Sequence, residues 1–152
     1  MATTTFVYGQ VPLKLLYKLY SDYSSAASTF KACLLTASYT PSQDNHISYN
    51  DISTYETTGT GYTAGGATLA SKTVTYASRV TTFDCTDISW DTLTLDTAIQ
   101  YLVIYDDTPS GATNKLLVMC FDFNTAISST AATLTFPVNS SGLFDWEVDA
   151  EA

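Results

Sequence analysis

"AIQYLVIYDDTPSGATNKLLVMCFDF", residues 98–123, is the stretch on which the fold turns. Its two ends, residues 98–105 and 115–123, are nearly apolar at both alternating sets of positions. They are too short for ordinary helices and are bounded by turn residues, as are strands in the middle of a sheet. Between them Pro109 and Gly111 stand two apart, matching positions i+1 and i+3 of a type I turn. The expectation is an antiparallel pair of central strands.

Outward from this pair the chain keeps alternating. "TFKACLLT" (29–36) sets Phe30, Ala32 and Leu34 on one face and Lys31 on the other, as in a half-buried strand. "KTVTY" (72–76) and "TTFDC" (81–85) carry β-branched and aromatic residues at period two and predict a hairpin across "ASRV". "ATLTFPV" (132–138) and "LFDWEV" (143–148) read as two more strands joined by "NSSG", with Pro137 suited to a sheet edge. "VPLKLLYKLY" (11–20) fits a helix through Leu13, Leu16, Tyr17 and Tyr20, and equally a strand through Val11, Leu13, Leu15, Tyr17 and Leu19. Pro12 suits the first turn of a short helix. The sum is an all-β, mostly antiparallel fold, a single-domain β-sandwich or jelly-roll-like barrel with room for one short N-terminal helix. The layout expected is an extended N-terminal arm over 1–10, one β-rich domain over 11–148 and an acidic C-terminal tail over 149–152.

Composition narrows the function. A chain of 152 residues is long enough for one domain with a sizeable core. Only 14% of its residues are charged, against ~25% in ordinary domains, so the surface should be hydroxyl-rich and aromatic. A net charge of −9 argues against nucleic acid, which needs clustered Lys and Arg to displace counterions. Cys33, Cys85 and Cys120 lie in separate apolar runs with no metal-ligand spacing, so buried free thiols and folding in a reducing compartment are expected. "MATTTFVYGQ" has neither the basic nor the apolar region of a signal peptide, and no run approaches the ~20 apolar residues of a membrane span. Synthesis and folding in the cytoplasm, with no membrane partner, is the expectation.

The motifs that would carry chemistry are weak. Gly59, Gly61, Gly65 and Gly66 crowd into "ETTGTGYTAGGATL" (56–69). A phosphate cradle would need a preceding strand and a following helix, and neither flank has the right pattern. The glycines are read as turning the chain at the head of a strand, with Tyr62 packing back over the loop. His46 with Asp44 or Asp51 and a serine would be a triad by type, yet no G-x-S-x-G elbow occurs. Asp84, Asp87, Asp91 and Asp96 lack the calcium-loop signature. No catalytic residue, metal, cofactor or small-molecule substrate is assigned.

Taken together, "LLTASYTPSQDNHISYNDI" (34–52), "YETTGTGYTAGGATLASKTVTY" (55–76), "FDCTDISW" (83–90) and "AIQYLVIY" (98–105) resemble a family of small virion structural proteins of tailed bacteriophages. The resemblance covers roughly residues 30 to 123. It implies a non-enzymatic component of the virion, made in the host bacterium. A capsid cement or decoration protein on the capsid surface would bind the major capsid protein and copies of itself, many such proteins being homotrimers at local threefold axes. A tail or fibre component touching the host surface is the alternative, and a hydrolase of cell-wall sugars a third. Aromatic residues dominate interface centres, so Phe6, Val7 and Tyr8 of the arm and Tyr49, Tyr55 and Tyr62 of the loop are the candidate protein-interface residues. An arm of this kind would add a strand to a neighbouring subunit, and its removal would leave the domain folded.

Overall fold

The structure is a computed structural model and describes residues 3–17, 20–109, 111 and 114–148. The acidic tail expected over 149–152 lies outside them. In chain order the elements are β1 (Thr4–Val7), α1 (Val11–Leu16), β2 (Phe30–Thr36), two short 3-10 turns (Tyr49–Asp51 and Ser53–Tyr55), β3 (Gly59–Thr60), β4 (Ala67–Thr68), β5 (Thr73–Ala77), β6 (Val80–Asp84), β7 (Ile88–Leu95), β8 (Ile99–Asp106), β9 (Leu117–Ile127), β10 (Ala132–Phe136) and β11 (Phe144–Glu147).

The expected central pair is β8 and β9, antiparallel and in the middle of a five-stranded sheet of order β1-β9-β8-β2-β4. Because side chains alternate, this sheet presents two apolar faces. Ala32, Leu34, Leu102, Ile104 and Phe121 point to an inner core. Cys33, Leu35, Val103, Tyr105 and Cys120 point to an outer one. Each fully buried Leu, Ile or Val contributes roughly 1.5–3 kcal/mol by leaving water, so the five-stranded sheet is stabilised from both sides. β2 is therefore buried on both faces, where half-burial was expected; Cys33 and Leu35 are as buried as Leu34.

The inner face is covered by two three-stranded sheets, β10-β7-β3 and β11-β6-β5. β6 pairs with β11 and β7 with β10, all antiparallel. The chain passes from β6 to β7 and from β10 to β11, so the layer is a two-stranded ribbon bent where residues 137–143 bulge. β5 is added to it through the expected hairpin. The result is a sandwich; the sheets do not close into a barrel.

The outer face is covered without a sheet. Tyr8, Val11, Tyr39 and Ile52 are buried against it, with Tyr49 and Tyr55 packed alongside. Residues 37–58 thus form a lid of loop and 3-10 turns. Helix and strand periods competed over residues 11–20, and a six-residue helix forms with Pro12 in its first turn. Its inward residues are Val11 and Leu15, while Leu13, Leu16 and Tyr17 lie exposed. Of the apolar stripe expected through Leu13, Leu16, Tyr17 and Tyr20, the first three thus face out, because Val11 is pinned in the core beside Tyr8. Tyr20, beyond the helix, packs against both cores.

The N-terminal segment differs from a free arm. β1 pairs with β9 of its own chain, Thr4 opposite Asp122 through Val7 opposite Met119. Tyr8 then enters the outer core at 1% exposure. The edge of β9 would otherwise leave a row of unpaired backbone groups, and the β-prone "TTFV" satisfies it. Removing residues 1–8 would strip a core tyrosine and a sheet edge, so a folded remainder is no longer the expectation. No helix among the described residues is long and apolar enough to cross a membrane.

Candidate functional site

The lid is held by a cluster around Glu56. Its carboxylate accepts hydrogen bonds from the Tyr49 and Tyr62 hydroxyls, and from the Gly65 N–H at 2.8 Å. The Tyr62 oxygen in turn accepts the Leu34 N–H at 3.0 Å, which ties the cluster to β2. Tyr105 of β8 donates to the Gly65 carbonyl at 2.7 Å. Its ring stacks on Tyr49, centroids 4.7 Å apart. Burial pushes the Tyr49 and Tyr62 phenols well above their ordinary value, and the negative Glu56 adds to the shift.

Local chemistry explains why the chain turns here. Ser48 caps the first 3-10 turn and Asp51 bonds back to the Ser48 and Ile47 N–H groups at 2.8 and 2.9 Å, a capping box. Burial works against the Asp51 charge, but those N–H bonds more than offset it and hold its pKa below the usual range. Gly66 sits at φ +80°, and a Cβ there would come within 1.9 Å of the Ala32 carbonyl oxygen. The glycine cluster therefore serves close backbone approach at the head of β4, as its flanks suggested.

A second chain of contacts runs through Tyr39. The Tyr8 and Tyr39 hydroxyls are 2.9 Å apart, and the Tyr39 hydroxyl meets His46 Nδ1 at 2.9 Å. The Tyr39 ring also packs on Tyr55 and stacks with His46. His46, the one histidine in the sequence, is thus engaged by a phenol.

The six candidate interface residues divide accordingly. Tyr49 and Tyr62 meet at Glu56; Tyr8 and Tyr55 meet at Tyr39; Phe6 packs edge-to-face on Tyr8; and Val7, half-buried, touches both cores. Tyr8 is buried and the other five are half-buried, and all six help to fasten the lid and β1 to the sheet. At the rim, Asp107 is clasped by Lys31 at 2.9 Å and by Lys115. Burial raises its pKa less than the two ammonium groups lower it, and it ends below the usual carboxylate value. Among the described residues no group of three or more His, Cys, Asp or Glu side chains is placed to hold a metal ion. The three thiols are free and buried, Cys85 and Cys120 being pushed up to about 12 by burial first and by aspartates next.

The open surfaces lie elsewhere. A hollow of about 650 Å³ opens at the side of the sandwich beneath the bulge, over Phe121, Phe123, Leu134, Phe136 and Phe144. A smaller one of about 310 Å³ lies between α1 and the β11-β6-β5 sheet, lined by Leu15, Tyr23, Val74, Phe83, Phe144 and Trp146. Val74, Tyr76 and Trp146 on that sheet are large apolar residues left exposed, at 43%, 69% and 38%. Sequence reading passed over these residues, since "VTY" at period two looks the same whether its apolar side is covered or bare. It also missed Glu56, whose tyrosine partners stand seven and six positions away with no period to mark them. Compared with protein-family models, with curated proteins and with solved structures, the chain matches none of them.

Proposed function

We propose that this chain is a non-enzymatic structural component of a tailed-phage virion, and that it acts as a capsid cement that binds the major capsid protein on the shell surface. The observation that carries the reading is the ordered run of motifs from "LLTASYTP" through "GTGYTAGG" to "LASKTVTY". In the fold this run supplies the end of β2, the lid, the Glu56 cluster, β3, β4 and β5, and so contributes to all three sheets. Physics supports it from another side. A lid whose tyrosines are already tied down loses little conformational freedom on docking, and such pre-ordering favours tight binding at many repeated sites. The hydrogen bonds of Glu56 and His46 described above are spent within the chain, which suits a scaffold.

Quantitative mass spectrometry of purified particles tests the reading. Abundance equal to the major capsid protein, or a regular fraction of it such as one third, is the expected result. A few to a few dozen copies per particle would move the chain to the tail or its fibres, and absence from the particle would overturn the virion role.

A further inference from the structure

We infer that β5 is a docking edge for a second copy of this chain, which pairs with it antiparallel about a twofold axis through Thr75. The contact goes beyond the shell-binding reading and stands without it.

The argument begins with the hairpin. Ala77 of β5 pairs with Val80 of β6, and the two residues between them, Ser78 and Arg79, have φ of +51° and +68°. That is the type I′ geometry of a two-residue hairpin. In such a turn the closing pair exchanges both backbone hydrogen bonds, and bonded and non-bonded pairs then alternate along the ladder. Ala77, Thr75 and Thr73 consequently spend their N–H and C=O groups on β6. Val74 and Tyr76 aim theirs outward, at the unpaired side of an edge strand.

Within β5 itself nothing blunts this edge. Every residue of β5 is exposed, and "TVTYA" holds no charge and no proline, the devices by which natural sheets keep edges from pairing. The edge is also complementary to itself. With Thr75 opposite Thr75 of the second copy, Val74 falls opposite Tyr76 and Tyr76 opposite Val74. Both are bonded pairs, so all the outward N–H and C=O groups of the five-residue strand are satisfied at once. The flanking Lys72 then meets Ser78, which keeps like charges from facing each other.

The side chains agree with the backbone. Val74 and Tyr76 share a face with Phe83 and Phe144, the face that looks into the core. At β5 that face overhangs, and Val74 forms part of the wall of the 310 Å³ hollow. Directly opposed residues in an antiparallel pair lie on the same face with Cβ atoms ~5 Å apart. Tyr76 of the second copy therefore arrives beside Val74, at the mouth of a hollow that the chain's own residues leave open. An aromatic and a β-branched residue placed across from each other form a favourable cross-strand pair, and the twofold makes it twice.

Sedimentation velocity and thiol cross-linking of the full chain test this. A contact smaller than ~1,200 Å² should be weak, so a reversible dimer with a dissociation constant on the order of 10–100 µM is expected. Val74→Pro removes an outward N–H while sparing the ladder to β6, and Tyr76→Lys puts a charge at the seam. Each should weaken the dimer tenfold or more. Thr75→Cys brings two thiols together across a non-bonded pair at Cα separations suited to a disulfide, and should cross-link on mild oxidation. Thr73→Cys, facing Ala77, should not. The native thiols are buried and do not compete. Should Val74→Pro lose its fold, the lysine and cysteine variants decide. A monomer at all concentrations, a dimer indifferent to Tyr76→Lys, a trimer or open series, or equal cross-linking at Thr73 and Thr75 would each overturn the inference.

Discussion

Removing the Glu56 carboxylate would take from the Tyr49 and Tyr62 hydroxyls and the Gly65 N–H the acceptor they share. Each orphaned buried donor costs about 1–3 kcal/mol, less what solvent recovers at this partly buried site. Glu56→Ala is therefore expected to cost about 2–3 kcal/mol, read as a lowered midpoint in urea with an unchanged slope; a loss under ~0.5 kcal/mol would contradict the hub. Thr92 carries the opposite case. It is a β-branched residue at φ +52°, where only glycine and, less often, Asn or Asp sit at ease. Thr92→Gly should raise stability by about 1 kcal/mol, the relief of strain exceeding the flexibility that glycine adds to the unfolded chain. Thermal melting checks it. At this scale the sequence was partly legible: the glycine cluster could be judged from its flanks, but Glu56 could not, since its role rests on contacts between a loop, a turn and a strand that only the fold brings together.

Among the elements, strands with strong alternation were readable and those with interrupted phase were not. β8 and β9, apolar on both sets of positions, announced a two-sided core, and the β5–β6 hairpin lay where the pattern put it. β7 escaped because of a bulge. Its partner β10 shifts register between Ala132 and Leu134, and Thr92 and Ala131 take positive φ beside the shift. The buried set accordingly jumps from Ile88 and Trp90 to Leu93, so no single period runs through "ISWDTLTL". α1 was undecided because both periods fit, and it was settled by tertiary contacts at Val11 and Leu15 rather than by its own residues. The hairpin offers a test at its own scale. Ser78 and Arg79 hold φ values that Asn and Gly adopt at far less cost. The pair Ser78→Asn and Arg79→Gly is expected to stabilise by about 1 kcal/mol, a rise of roughly 2–4 °C in Tm. An unchanged or lower Tm would mean that the turn is not the type I′ geometry described.

Across the whole molecule the tyrosines set the behaviour at high pH. Eight of them, at positions 8, 20, 23, 39, 49, 62, 101 and 105, have phenols raised above the ordinary value, burial being the largest cause in each. A folded pKa above the unfolded value gives stability that is complete below the unfolded pKa, ~10, and is lost as pH climbs past it toward the folded value. Alkaline unfolding should therefore be cooperative above about pH 10, with tyrosinate absorbance and near-ultraviolet circular dichroism changing together. Ionisation of all tyrosines while the dichroism persists would contradict the buried network. Asp107 and Asp51 act at the other end: their lowered pKa values contribute stability that is present at neutral pH and lost as pH falls below about 4.

The pairing of β1 with β9 also has a consequence in time. Thr4 meets Asp122, so β1 is completed only after the whole stretch between them has left the ribosome. At ~5–20 residues per second, the wait is on the order of ten seconds. During that interval "TTFV" and the ring of Tyr8 travel without their partner. The order of synthesis thus leaves the nascent chain with an unclaimed, β-prone segment, and its capture by β9 is among the later events that close the fold.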